Sequence, residues 1–210
     1  MTALTVYDKT GSEVGTLDVN VEQLAEKINK QLLHDAVVMY QANLRQGSAK
    51  TKSRAEIIGS RKKMYRQKGT GNARAGHRMS GVRRGGGHIF AKRPRDFSYR
   101  LPKKMLKAAT RMAFASKIID DEITVIDDFK IDAPKTSEMA RVLKALKLDK
   151  TTLLIGIEDL NTALYKSVKN IQGVSILPCV DFNALSLLKP KRLLITKAAL
   201  EKFCEKFAKA

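Results

Sequence analysis

Cysteine, histidine and long apolar runs are scarce in this 210-residue chain. Its two cysteines, Cys179 and Cys204, lie far apart in sequence, which excludes a disulfide scaffold and a cysteine-based zinc site. No apolar run approaches the roughly 18 residues of a membrane span, so no membrane partner is expected. Met1 to Asp8 has neither a basic start nor an apolar stretch, and no signal peptide is expected. Of the three histidines, His34 stands beside Asp35 at a helix start, where a cap or surface contact is the ordinary role; His77 and His88 are remote from any carboxylate cluster. No segment has the glycine, lysine and Ser/Thr order of a P-loop after a strand. Gly69-Thr70-Gly71 opens like a dinucleotide fingerprint, but Arg74 occupies the place of the third glycine and no strand precedes it. Asp120-Asp121-Glu122, Asp127-Asp128 and Glu158-Asp159 flank strands, where acids are usually solvated or capping. No cofactor, metal or catalytic group is therefore expected.

Acidic residues are also nearly missing from one long segment, and that absence organises the chain. Lys and Arg number 40 against 21 Asp and Glu, a net charge of +19. Arg45 to Arg111 holds 21 of the basic residues and only two acids, Glu56 and Asp96, so this segment carries the whole +19. The remainder is neutral. The same segment holds 9 of the 13 glycines, and its only aromatics between Arg45 and Arg95 are Tyr65 and Phe90. Such a composition buries too little apolar surface to offset its own ordering entropy, so it should need a partner to become ordered. An internal loop of this length is uncommon unless it is functional or disordered. Its composition points to a polyanion, in a soluble cytosolic protein.

The neutral remainder has the periodicities of an α/β domain. Ala3–Tyr7 and Glu13–Leu17 read as strands joined by a turn through Gly11. Asn20 caps a helix with Gln23 placed for a capping box, and Val21, Leu24, Ala25, Ile28 and Leu32 follow at helical spacing. A second helix is expected from about His34 to Arg45, with Gly47 ending it. Pro102 opens a helix to about Ile119 with Met105, Ala109, Met112 and Ser116 on one face. Strands at Ile123–Ile126, Thr151–Ile157, Val174–Leu177 and Leu193–Ile195 then alternate with helices. Those are Thr136–Lys147, a stripe of Leu160, Leu164 and Val168, and a last helix capped by Thr196 with Leu200, Phe203, Cys204 and Phe207 inward. This alternation predicts a three-layer α/β/α domain with a mainly parallel sheet plus a long extended basic loop. The body should comprise residues 1–45 and 101–210, and the loop about 46–100.

The loop's chemistry suits RNA. Arginine offers a planar fork for phosphate and can stack on bases, and glycine lets the backbone approach closely. Without helical periodicity the segment is not a recognition helix for a DNA groove, and no zinc finger, helix–turn–helix or aromatic RNA platform is present. An irregular cationic strand pair threading a folded RNA fits, because RNA is read largely through shape and backbone. About 27 residues per arm, at about 3.3 Å each, bound the loop's reach at roughly 90 Å. The rival reading is an α/β enzyme whose basic lid covers a phosphorylated substrate. Such a lid needs catalytic groups facing it from the strand ends, and the sequence supplies none.

Several motifs then resemble one family. Arg54-Ala55-Glu56, Lys62-Lys63, Arg66-Gln67-Lys68-Gly69-Thr70-Gly71 and Ala73-Arg74-Ala75-Gly76, followed by Arg84-Gly85-Gly86-Gly87, Pro94-Arg95-Asp96 and Leu101-Pro102-Lys103-Lys104, resemble the universal L-four family of large-subunit ribosomal proteins. The resemblance extends over essentially the whole chain. It implies a non-enzymatic structural constituent of the ribosome, in the cytoplasm, that binds large-subunit ribosomal RNA early in assembly. It implies a globular domain with a mainly parallel four-stranded sheet, and a loop that penetrates RNA and lines the nascent-peptide exit tunnel. The loop's implied neighbours are the nascent peptide and other large-subunit proteins, including the L-twenty-two-type protein of the tunnel constriction. Members in some bacteria also repress their own operon through messenger RNA.

Matched onto this chain, the implied RNA-binding residues are Arg45, Lys50, Lys52, Arg54, Arg61, Lys62, Lys63, Arg66, Lys68, Arg74, Arg78, Arg83, Arg84, Lys92, Arg93, Arg95, Lys103 and Lys104. The implied tunnel-loop tip is Tyr65, Arg66, Gln67, Lys68, Gly69, Thr70, Gly71 and Asn72. The chain departs from the family's pattern at Tyr65, where tryptophan is common, and at Val82-Arg83, where an apolar residue and tryptophan are common.

Overall fold

In the computed structural model, which describes residues 2–129 and 134–208, strands and helices alternate along most of the chain. A hairpin of β1 (Thr2–Tyr7) and β2 (Glu13–Val19) comes first. Helices α1 (Val21–Leu24), α2 (Lys30–Asn43) and α3 (Lys103–Ile119) follow. Then come β3 (Ile123–Ile126), α4 (Thr136–Ala145), β4 (Leu153–Ile157), α5 (Thr162–Lys169), β5 (Val174–Pro178), α6 (Ala184–Leu188), β6 (Arg192–Thr196) and α7 (Lys197–Ala208). The six strands form one sheet in the order β2-β1-β3-β6-β4-β5, parallel throughout except for the β1–β2 pair.

The continuous apolar runs of the central strands are explained by burial on both faces. On β6, Leu193 and Ile195 enter one apolar cluster and Leu194 the other. On β4, Leu154 faces the first cluster, while Leu153, Ile155 and Ile157 face the second. Residues of α1, α2, α3, α6 and α7 complete the first cluster, and residues of α4 and α5 the second. Helices therefore cover both faces, giving the three-layer arrangement expected. Phe203 of α7 anchors the first cluster, with ring centroids 4.3 Å from Phe114, 5.9 Å from Phe182 and 4.8 Å from Phe207.

Among the described residues, one charged side chain is buried in this body. Lys117 of α3 is 5% exposed, and its ammonium pairs with Glu122 while donating to the carbonyls of Pro190 (2.9 Å) and Lys191 (3.1 Å). Its three protons thus meet three acceptors, which is what makes a buried lysine tolerable. The contact ties the last turn of α3 to the turn entering β6.

The structure differs from the sequence expectation in several places. The four-stranded sheet is a six-stranded one, because the hairpin pairs in parallel with β3 through Val6 opposite Val125 and Tyr7 opposite Ile126. The single helix expected from Val21 to Leu32 is broken. Its chain is extended at Ala25, and Asn29 starts α2 by accepting the Leu32 N–H at 3.1 Å, so α2 spans Lys30–Asn43 rather than His34–Arg45. The Asn20 side chain accepts from Glu22 N–H, and the reciprocal capping box forms instead at Asn183 and Ser186. On α3 the buried set is Ala109, Thr110, Ala113, Phe114, Ala115, Lys117 and Ile118, wider than a single stripe, because α1 and α6 both pack on it; Met105 is exposed. Leu160 is likewise exposed, ahead of α5, and Cys204 is only half-buried.

Since Phe203 touches three other rings, Phe203→Ala removes more buried apolar contact than any surface change can. It should lower stability by about 3–5 kcal/mol, read as a lower urea midpoint with an unchanged slope.

Candidate nucleic-acid interface

Residues Ala42–Tyr99 form a compact unit of their own, and Met1–Gln41 with Arg100–Ala210 form another. The basic unit is built from two arms of the chain running back along each other. Moving from its base to its tip, Arg95 N–H donates to Gly47 O (3.2 Å), Thr51 N–H to Lys92 O (3.1 Å), His88 N–H to Lys52 O (3.0 Å) and Met64 N–H to Gly76 O (2.9 Å). Lys92 N–H also donates to Thr51 Oγ1 at 2.8 Å. Ser53 and His88 make an isolated bridge.

These backbone hydrogen bonds tie the two arms together at intervals from base to tip. Ala75 and Met79 are buried within the unit, Met79 at 3% exposure.

The tip closes at Tyr65, whose hydroxyl donates to the carbonyl of Ala73. Arg66 Nη2 donates to Gly69 O at 3.0 Å, and the Lys63 ammonium donates to Gln67 Oε1. Gly69 and Gly71 both have positive φ, +80° and +67°, which turns the chain there. Lys68 and Asn72 project from this turn, both exposed, and Thr70 is half-buried. A recess of about 410 Å³ behind the tip is lined by Arg61, Lys63, Gln67, Arg74, Ala75, Gly76 and His77. Within the unit, His77 Nδ1 is closed off from solvent and finds no hydrogen-bond partner among the described residues.

All of the cations singled out in the sequence are exposed: Arg45, Lys50, Lys52, Arg54, Arg61, Lys62, Lys63, Arg66, Lys68, Arg74, Arg78, Arg83, Arg84, Lys92, Arg93, Arg95, Lys103 and Lys104. All but the last two lie in the Ala42–Tyr99 unit. Lys103 and Lys104 stand instead in the first turn of α3, which has no acidic residue and no side-chain cap. Cations at that end oppose the helix dipole, so they do not serve the helix itself.

Among the described residues, one of the eighteen pairs with a carboxylate. Lys50 pairs with Glu56 at 2.9 Å, and Glu56 also accepts from Ser53 N–H at 2.9 Å. The Lys50 hydrogen bond, followed by the Ser53 amide, pulls the Glu56 carboxyl down to about 2.

The set of RNA-binding residues named from the sequence leaves out the arms' apolar side chains. Ile58, Val82, Ile89 and Phe90 are exposed, Phe90 at 95%. That set also leaves out Phe97, whose ring lies beneath the guanidiniums of Arg45 and Arg95. The spacing Arg95-x-Phe97 is the only sequence signal of that contact, and it does not reveal Arg45.

At the carboxyl end of β4, where many α/β domains hold ligands, Glu158 and Asp159 are engaged by Lys202 at 3.1 and 3.8 Å. Cys179 is buried, and burial pushes its thiol up, away from the thiolate a nucleophile needs.

Residues 17–206 match the model of the ribosomal protein L4/L1 family. The chain is also similar to the large ribosomal subunit protein uL4 of Rhodopirellula baltica, with 54% identity over 202 residues, which is 96% of this chain and 91% of that protein.

Glu56 gives a local probe of the arms. Because its carboxyl is depressed in the folded state, the Lys50–Glu56–Ser53 contact is in place above the ordinary value of 4.5 and is lost as pH falls through about 2. A carbon-detected NMR titration should place the Glu56 midpoint near 2, and Lys50→Met should move it back up toward 4.5.

Proposed function

The chain belongs to the ribosomal protein L4/L1 family and is a structural, non-enzymatic constituent of the large ribosomal subunit, and from that premise we propose that its Ala42–Tyr99 unit binds large-subunit ribosomal RNA and carries the exit-tunnel segment at its tip. Ribosomal RNA and other ribosomal proteins are the partners that membership entails. The observation that supports the finer reading is the exposure of sixteen named cations on two paired arms, with one carboxylate partner among the described residues. A surface of this kind repels itself in water and is neutralised by a phosphate backbone, with release of the counterions condensed on the RNA. In this reading the chain binds RNA early in assembly, its arms insert into RNA, and its tip lies near the nascent peptide and the L-twenty-two-type protein.

The tip has distinct chemical parts. Lys68 is an exposed cation free to meet a phosphate. Arg66 is committed to the Gly69 carbonyl and Gln67 to Lys63, so both shape the turn first and reach outward with their remaining donors. Tyr65 closes the tip through its hydroxyl, using an aromatic residue as a strut rather than only as a stacking surface.

Binding of the full chain to large-subunit ribosomal RNA should be strongly salt-dependent. If about 6–10 phosphates are neutralised, affinity falls by about three to five orders of magnitude between 50 and 200 mM salt. Deleting Gly59–Gly87 should flatten the log–log slope, and a slope near zero for the parent would rule out phosphate-dominated binding.

At the tip, Lys68→Glu sets an anion against an anionic wall. Thermal stability of the isolated protein should not change, because Lys68 supports no part of the core. Ribosomes assembled with the variant should respond differently to arrest peptides and macrolides. Unchanged stalling, unchanged drug sensitivity and undisturbed chemical probing of nearby RNA would together remove Lys68 from the tunnel region.

A further inference from the structure

The base of the basic unit is held by contacts between residues about fifty positions apart in sequence. Tyr99 N–H donates to Asn43 Oδ1 at 3.0 Å, and Arg95 N–H to Gly47 O at 3.2 Å. Between these two rungs the guanidinium carbons of Arg45 and Arg95 both lie over the ring of Phe97, 4.0 and 4.3 Å from its centroid. Gly47 makes the crossing possible. It has φ +67°, and a Cβ there would stand 2.0 Å from the Arg95 carbonyl oxygen and 3.2 Å from Phe97 Cδ2.

The crossing leaves a recess of about 400 Å³ lined by Arg45, Gly47, Ala49, Lys92, Arg93, Arg95 and Phe97. It contains four cations, and no carboxylate among the described residues is paired with any of them. The nearest acid in sequence, Asp96, is turned onto Ser98. It accepts from the Ser98 N–H at 2.8 Å and from its hydroxyl at 2.7 Å, which hold its carboxyl below the usual range.

Two guanidiniums on one ring are an arrangement that asks for an anion. The ring attracts each cation only modestly, and the two cations repel one another. A guanidinium lying on a ring keeps its N–H edge free, and that edge matches two oxygens of a phosphate. With the guanidiniums already oriented, less side-chain freedom is lost when the anion arrives.

We propose that this neck is a preassembled clamp for an RNA backbone phosphate, with Arg45 and Arg95 gripping its oxygens, Lys92 and Arg93 adding charge, and Phe97 as the positioning residue. The proposal rests on the RNA-binding reading above and adds to it a defined point of attachment at the base of the loop. Phe97 touches no phosphate. It acts through the two arginines.

The test uses the full-length protein and large-subunit ribosomal RNA, with affinity measured across a salt series. Phe97→Leu should weaken binding roughly fivefold to thirtyfold, the scale of two cation–π contacts, and should lower the log–log salt slope by about one to two, as expected when phosphate contacts are lost. Phe97→Tyr keeps the ring and should bind like the parent. Adding Phe97→Leu to Arg45→Gln/Arg95→Gln should cost nothing further. A Phe97→Leu protein that binds like the parent, weakens binding without changing the slope, or weakens the double variant as much as the parent would overturn the clamp. Inorganic phosphate separates the two sources of the ligand. Calorimetry should show no saturable binding that Phe97→Leu abolishes; such binding would assign the recess to the free anion and overturn the RNA assignment. Failure of the parent itself to bind the RNA is a separate result, which defeats the RNA-binding reading and the clamp with it.

Discussion

Repulsion among like charges is the constraint on which the rest of this protein turns. The entire net charge of +19 is carried between Arg45 and Arg111. Alternate side chains on an extended arm are about 7 Å apart, inside the Debye length of about 8 Å at physiological salt. Runs such as Lys62-Lys63, Arg83-Arg84 and Lys92-Arg93 therefore feel one another. Collapse into a conventional core is closed to such a segment. What remains is a two-armed element, tied together by backbone hydrogen bonds, whose cationic side chains are exposed.

The body answers that constraint by being neutral and conventionally packed. Its sheet is sandwiched between two apolar clusters, and Phe203 gathers three other aromatic rings. Its buried cation Lys117 has every proton satisfied. Acids at the β4 end are engaged by Lys202. The α/β scaffold is a frequent host of catalytic sites, but the family this chain belongs to is non-enzymatic. Fold and function separate cleanly here, since the same scaffold elsewhere supports many chemistries.

The loop's order comes from means that suit an exposed cationic element. Inter-arm amide bonds recur from Gly47–Arg95 to Met64–Gly76. Small fixtures then set its ends: Tyr65 on Ala73 at the tip, Asn43 on Tyr99 and Phe97 under two arginines at the base. None of these depends on a large buried area. Each instead aligns a cation or a turn, and pre-alignment is what lowers the entropy lost on binding.

Charge segregation, the strand–helix alternation and the family itself were readable from the sequence, because each is a matter of composition, short period or contiguous motif. Arg66 through Gly71 and the cations around them needed no coordinates to be found. Tertiary structure alone decided the rest. The hairpin's place beside β3 depends on Val6 meeting Val125, and the wide burial of α3 on helices far from it in sequence. The break before α2 turns on which amide Asn29 captures, which spacing does not specify. The neck depends on Arg45 reaching Phe97 across some fifty residues while Gly47 clears the Arg95 carbonyl. Local pattern reports what a residue prefers, whereas contacts of this kind are fixed only when distant segments compete for the same space and the same hydrogen-bonding partners.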